Sequence, residues 1–197
     1  MKIVIIDYGA GNIQSIKFAL QRLDFEATLT ANAEEIRQAD KVIFPGVGEA
    51  SSAMKKLKST GLDQLIPLLT QPVLGICLGM QLMCLHTEEG NTTGLKIFNT
   101  IIKRFSNQVK VPQIGWNQIS ELESNLFNEI AENEFMYLVH SFYAESCPEM
   151  IAQTHYELDY ASALRKNNFY GVQFHPEKSS KAGEKILDNF LKLEGRT

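Results

Sequence analysis

Two short stretches of this 197-residue chain carry residue types that can do covalent chemistry. The first is Gly75-Ile76-Cys77-Leu78-Gly79, where an apolar run gives way to a helical pattern. A sharp strand-to-helix turn of this G-x-C-x-G kind strains the middle residue and pushes its side chain outward, as in a nucleophile elbow. Free N–H groups at the start of the following helix favour an anion, which suits a thiol nucleophile. The plainer reading is a small buried cysteine between glycines. The second stretch is His175-Pro176-Glu177. A thiol nucleophile needs an imidazole to carry a proton to the leaving group, and a third group to orient that imidazole. Proline biases the residue before it toward extended geometry, and residues two apart on an extended segment point the same way, so His175 and Glu177 can face one site. Taken alone, a His-Pro-Glu turn is more often just a turn. His86, at the end of the elbow helix, and His155, in a polar stretch, read as structural, as does Cys84, which should pack in the core. Cys147, beside Pro148, reads as a loop residue.

The elements that must position these residues alternate. Lys2–Asp7 reads as a strand, followed by a helix carrying Ile13, Ile16, Leu20 and Leu23. The pattern repeats as strand 27–30, helix 33–38, strand 42–44 stopped by Pro45-Gly46, helix 49–57, helix 62–69, a buried strand 72–76 and the elbow helix 78–86. Strands alternating with helices imply a parallel sheet, because parallel neighbours need a long crossover. Beyond Gly94 the segments 95–105, 109–119, 135–139, 150–154, 162–165 and 169–173 are strand-like and partly antiparallel. A last amphipathic helix spans 180–193, with Ser179 or Ser180 as its N-cap. The expected fold is therefore a three-layer α/β open sheet, largely parallel, with an added antiparallel β segment in the second half and one domain over 1–197. The segment 169–177 ends at the carboxyl edge of that sheet, where open α/β proteins collect ligands.

Composition narrows the partners. A formal net charge of −4 with no long basic run argues against nucleic acid. Lys55, Lys56 and Lys58 read as a solvated helix face. The four apolar residues before Asp7 are too few for a signal peptide or a membrane span, so a cytoplasmic location is expected. Three cysteines without CxxC spacing suggest neither a disulfide framework nor a zinc site.

With Gly75–Gly79 followed by Gln81, and His175-Pro176-Glu177 lying 98 residues after Cys77, the sequence resembles the class I (triad) glutamine amidotransferases, of flavodoxin-like fold, over nearly its whole length. Within them it is most similar to the glutaminase subunits of imidazole glycerol phosphate synthases. Asp7-Tyr8-Gly9-Ala10-Gly11-Asn12, Pro45-Gly46-Val47-Gly48, Pro112-Gln113-Ile114-Gly115-Trp116-Asn117 and His175-Pro176-Glu177-Lys178-Ser179 carry that likeness. The resemblance implies Cys77 as nucleophile, His175 as proton carrier and Glu177 as its orienting group. It implies an oxyanion hole from the N–H groups of Leu78 and Val47, and a glutamine pocket lined by Gly46, Gln81, His140, Ser141 and Phe142. Asn12, Trp116, Tyr137 and Lys178 would face a (β/α)₈ barrel synthase subunit that receives the ammonia, although a lone Trp suits a core equally and Lys178 can simply be solvated. No metal or organic cofactor is implied. Relatives often carry Pro-Gly-Gly where this chain has Pro45-Gly46-Val47. A β-branched residue resists positive φ, so the oxyanion hole is expected to be incompletely formed at rest. Two rivals are a glutaminase or γ-glutamyl hydrolase acting alone, and a regulatory or redox-sensing module that kept an elbow cysteine without using it.

Overall fold

Continuous apolar runs, Ile3–Ile6, Val42–Phe44 after Lys41, Val73–Ile76 and Phe169–Val172, mark strands buried on both faces. The structure, a computed structural model, describes residues 1–194. Its elements in chain order are β1 (Ile3–Ile6), α1 (Ile13–Arg22), β2 (Ala27–Thr30), α2 (Ala33–Arg37), β3 (Lys41–Phe44), α3 (Ala50–Thr60), α4 (Leu62–Leu65), β4 (Val73–Ile76) and α5 (Leu78–Leu82). There follow β5 (His86–Thr87), β6 (Thr92–Thr93), β7 (Ile101–Arg104), β8 (Gln113–Ile119), β9 (Glu134–His140), β10 (Phe142–Ala144), β11 (Met150–Tyr156), β12 (Leu158–Lys166), β13 (Phe169–Val172) and α6 (Ser180–Lys192).

The main sheet runs β2-β1-β3-β4-β13-β12-β10-β7-β5-β6, with β11 paired to β12. The first five of these strands are parallel, and β12 begins the antiparallel part. Alternate strand residues feed two apolar layers. Val4, Ile6, Val42 and Phe44 pack with α2, α3 and α4 on one face, whereas Ile3, Ile5 and Ile43 pack with α1 and α6 on the other. Each fully buried Ile, Leu or Phe of these layers contributes about 1.5–3 kcal/mol. Strands β8 and β9 form a separate antiparallel ribbon. Among the described residues no helix is long and apolar enough to cross a membrane, and no cluster of His, Cys, Asp or Glu is placed to hold a metal ion.

Four expectations from sequence are corrected. The elbow helix ends at Leu82 rather than His86, and the segment from Leu95 becomes strand only at Ile101. Both errors share one cause. The carbonyls of Leu82, Met83, Cys84 and Leu85 accept from the N–H groups of Leu95, Ile97, Lys96 and Gly94, so residues 94–97 occupy what would continue both elements. His86 consequently starts β5. The strand expected from Val109 begins at Gln113, after Pro112, which has no N–H for a ladder. Ser179 occupies the N-cap position of α6 but does not cap it by its side chain. Its Oγ instead donates to the His175 carbonyl (2.7 Å) and accepts from the Tyr137 N–H (2.9 Å).

Helix α6 sits tightly on the His-Pro-Glu turn, because a Cβ added at Gly183 would lie 2.0 Å from the Pro176 carbonyl oxygen. Gly183→Ala should therefore push helix and turn apart, at a cost of about 1–3 kcal/mol. At about 2–4 °C per kcal/mol for a chain of this size, calorimetry should show the melting temperature falling by several degrees.

Candidate active site

The parallel register of β4 on β13 pairs Ile76 with Val172, and the Cys77 N–H donates to the Val172 carbonyl at 2.8 Å. Cys77 then leaves the strand at φ 53°, ψ −113°, a conformation disfavoured for a non-glycine residue, and α5 starts at once. Gly79 permits this turn to press on the neighbouring strand, since a Cβ there would be 1.9 Å from the Phe44 carbonyl oxygen. The side chain of Cys77 enters a cavity of about 270 Å³ at the carboxyl ends of the strands.

His175 reaches the same cavity from the end of β13. It is extended at φ −101°, ψ 94°, with its N–H bonded to the Tyr137 carbonyl (2.9 Å). Glu177 does not continue that extended segment, as sequence suggested, but sits in a single 3₁₀ turn, 176–178. The turn folds its carboxylate back so that Oε1 accepts from His175 Nδ1 at 2.8 Å, with both side chains almost wholly buried. Because a carboxylate accepts, Nδ1 carries the proton of this bond and Nε2 is left to meet the Cys77 sulfur. Burial alone would lower the His175 pKa, but the hydrogen bonds and negative charge offered by Cys77 and Glu177 outweigh it and raise the value to about 10. The second oxygen of Glu177 is buried without a hydrogen bond.

The far wall comes from β9 and β10. His140, Ser141 and Phe142 line the cavity together with Val139, whose carbonyl lies 3.8 Å from the Cys77 sulfur. Gln81, one turn into α5, donates to the Phe142 carbonyl (2.9 Å) and to Oε1 of Gln173 (2.8 Å). Nε2 of Gln173 in turn points at the Cys77 sulfur, 3.6 Å away. His140 is turned to structural work. Its Nδ1 donates to the Phe142 carbonyl (2.7 Å), its Nε2 meets the Tyr160 hydroxyl (3.2 Å), and burial lowers its pKa to about 4, aided by the charge of His175.

On the opposite rim, Val47 and Gly48 line the cavity beside Leu78, whereas Gly46 is packed beneath them with no room for a Cβ against the Gly79 nitrogen (2.5 Å). Val47 keeps a negative φ and Gly48 takes the left-handed value, 93°. Two residues passed over in the sequence belong here. Glu89, in a turn between β5 and β6, lines the cavity and accepts from the Ala50 N–H at 2.9 Å. Burial raises its carboxyl pKa, the Ala50 N–H partly offsets that rise, and nearby Glu49 adds to it. Gln173 is fully buried. The signal for it was a polar residue interrupting an apolar strand two places before His175; for Glu89 there was only a carboxylate in a polar turn.

The residues expected at a partner surface do not line the cavity, but Tyr137 is bonded through its carbonyl to His175, which does. Register pairs Trp116 with Tyr137 across the β8–β9 ribbon, rings edge-on at 6.0 Å, and Lys178 Nζ sits 5.9 Å from the Tyr137 ring centre. Trp116 is 52% exposed, and Ile114, Phe135 and Val139 on the same ribbon are exposed with it. Asn12 starts α1, which packs beside the 176–178 turn, and its side chain accepts from Ser15 Oγ at 3.0 Å. Of the remaining histidines, His86 is half-buried and His155 pairs with Asp159 in the open. Cys84 is buried in the core, as expected.

The two cavity histidines should titrate far apart. His175 gains its proton on folding, so its contribution to stability is complete below its ordinary pKa of 6.5 and is lost as pH rises through about 10. His140 has the opposite sign, destabilising the fold as pH drops from 6.5 through about 4. Ring-proton NMR should find His175 charged and His140 neutral near neutral pH, and Cys77→Ser should bring the His175 midpoint down.

Comparison with known proteins agrees with this geometry. Residues 4–193 match the family model described as glutamine amidotransferase class-I. The imidazole glycerol phosphate synthase subunit HisH of Bacteroides thetaiotaomicron is 54% identical over 98% of this chain and 100% of its own length. The subunit of that name from Pectobacterium atrosepticum is 44% identical over the same shares. A solved structure described as a glutamine amidotransferase superposes with a TM-score of 0.75 at 18% identity, covering 96% of this chain and 97% of that one, a likeness of fold. Another of that description, from Thermotoga maritima, gives 0.62 at 17% identity, covering 96% and 82%. With a family model spanning almost the whole sequence and full-length relatives above 40% identity, the chain belongs to the class-I glutamine amidotransferases, among the HisH subunits of imidazole glycerol phosphate synthase.

Proposed function

We propose that this chain is the glutaminase subunit of an imidazole glycerol phosphate synthase, acting in histidine biosynthesis in the cytoplasm as one domain over 1–197. The observation that carries the proposal is the meeting, in one cavity, of a strained elbow cysteine with an imidazole held by a buried carboxylate. The Cys77 sulfur attacks the side-chain carboxamide carbon of glutamine. The C=O pair moves onto oxygen, and the oxyanion is held by the N–H groups of Leu78 and, after the loop rearranges, Val47. His175 gives its proton to the leaving nitrogen, ammonia departs, and a glutamyl thioester remains. Water, deprotonated by His175, cleaves that thioester to glutamate and restores the thiol. Glu177 holds the ring in the tautomer this exchange requires.

Substrate selection follows from charge. The reacting amide is common to glutamine, asparagine and peptides, so the α-ammonium group must be read separately. The Glu89 carboxylate, which lines the same cavity as Ser141 and Phe142, offers the negative charge for it. Gln81 assists with its side-chain oxygen, since its N–H groups are engaged by Phe142 and Gln173. The exposed apolar ribbon at the cavity mouth supports a second subunit there, for which a (β/α)₈ barrel synthase making imidazole glycerol phosphate and AICAR is our assignment. Asn12, Trp116, Tyr137 and Lys178 would meet it, and its cover would pass ammonia on before water traps it as ammonium. Val47, resting at negative φ, supports the reading of a glutaminase that stays quiet until that partner rebuilds the loop.

The decisive assay is glutamate release by the chain alone, then with the synthase partner and its ribonucleotide substrate. Low activity alone, strong stimulation by both, and loss on Cys77→Ala are expected. Equal activity with and without the partner would favour a glutaminase acting alone, and none under any condition would favour a non-catalytic module. Glu89→Gln keeps an acceptor for the Ala50 N–H but removes the charge. It should raise the KM for glutamine on the order of tenfold to a hundredfold, the worth of one charged hydrogen bond, while kcat changes little.

A further inference from the structure

The cavity holds a run of amide hydrogen bonds whose direction is fixed from one end. A main-chain carbonyl can only accept, so the group that Gln81 presents to Phe142 at 2.9 Å must be its NH₂. The same NH₂ lies 2.8 Å from one end of the Gln173 amide, which must therefore be the oxygen. That leaves the NH₂ of Gln173 facing the Cys77 sulfur at 3.6 Å. Reversing the Gln173 amide would set NH₂ against NH₂ at Gln81 and a carbonyl lone pair against the sulfur. Gln173 is fully buried, so no water competes for its ends. The Phe142 carbonyl is itself held by His140 Nδ1 at 2.7 Å, so the starting point does not drift.

We infer that Gln173 is a positioning residue that links the glutamine-reading wall to the nucleophile: Gln81 holds its oxygen, and its NH₂ steadies the Cys77 sulfur toward the cavity. Resting on the glutaminase reading of this site, the inference adds a second donor at the sulfur besides the imidazole. A sulfur gripped by His175 alone could swing about its Cα–Cβ bond. With a second donor it is held from two directions, and whatever disturbs Gln81 is felt at the sulfur. A glutamine seated against Gln81 would thus report its arrival to the atom that attacks it.

The test uses the full-length chain and iodoacetamide, which alkylates Cys77 without glutamine turnover, read by mass spectrometry at neutral and alkaline pH. Gln173→Met keeps length and loses the donor. Gln173→Glu keeps shape and sets a carboxylate oxygen against the sulfur. Both should slow alkylation of Cys77 near pH 7, the first roughly tenfold, as expected for one hydrogen bond, and the second more. The difference should shrink at alkaline pH. In the presence of the synthase partner both should lower kcat with a KM for glutamine within about threefold of the parent. Gln81→Leu leaves Gln173 untouched but releases its oxygen, and should slow alkylation too. The double variant Gln81→Leu/Gln173→Met should then be no slower than Gln173→Met, because the two act through one link. Wild-type alkylation rates in both Gln173 variants, or additive losses in the double variant, would overturn the inference. If a Gln173 variant fails to fold, Gln81→Leu decides alone, a parental rate overturning it. A parent chain that alkylates normally yet never releases glutamate would sink the glutaminase reading and leave this link standing.

Discussion

Everything at the cavity depends on one strand pairing. Strands β4 and β13 are 96 residues apart in sequence, yet they lie side by side in parallel with Ile76 opposite Val172. The Cys77 N–H closes the ladder on the Val172 carbonyl, so the last shared hydrogen bond of the pair is also the one that fixes the elbow. From there the two chains part, one into α5 and the other through Gln173 and His175 into the 176–178 turn. A slip of one residue would turn every side chain on β13 to the other face, sending Val172 and Phe174 out of their apolar layer. The hydrophobic pattern therefore protects the chemistry.

The electrostatics follow from burial. Two imidazoles share the cavity, and burial disfavours a proton on either. His175 keeps one because it has a carboxylate on one nitrogen and the sulfur on the other, whereas His140 faces a carbonyl and a phenol and stays neutral. Similar rings thus take opposite states through their neighbours. The proton on His175 is thus held by the buried carboxylate and the sulfur beside it, and the neutral ring of His140 is left to set the wall.

Much of this was legible in the sequence, for a physical reason. Glycine and proline motifs act over a few residues, so the elbow at Cys77 could be read from Gly75 and Gly79, and the extended backbone of His175 from Pro176, whereas the turn that folds Glu177 back could not. The parallel half was equally readable, because a strand buried on both faces must be apolar throughout. What escaped notice was set by contacts distant along the chain. The helix at Leu78 stops early because residues 94–97 claim its last carbonyls, and no local pattern carries that information. Gln173 and Glu89 were missed likewise: a glutamine in a strand and a glutamate in a turn are ordinary until the fold shows which atoms they face. Ser179 was read as a cap because it stands where caps stand, but its hydroxyl found better partners across the chain.

That diverted hydroxyl has a mechanical consequence. Tyr137 is fastened to the segment bearing the imidazole at two points, its carbonyl to the His175 N–H and its N–H, through Ser179, to the His175 carbonyl. The outer side of the same ribbon carries Trp116 in the open. A push on that exposed indole thus meets a rivet rather than a hinge, because tilting the ribbon would strain both links to the His175 segment at once.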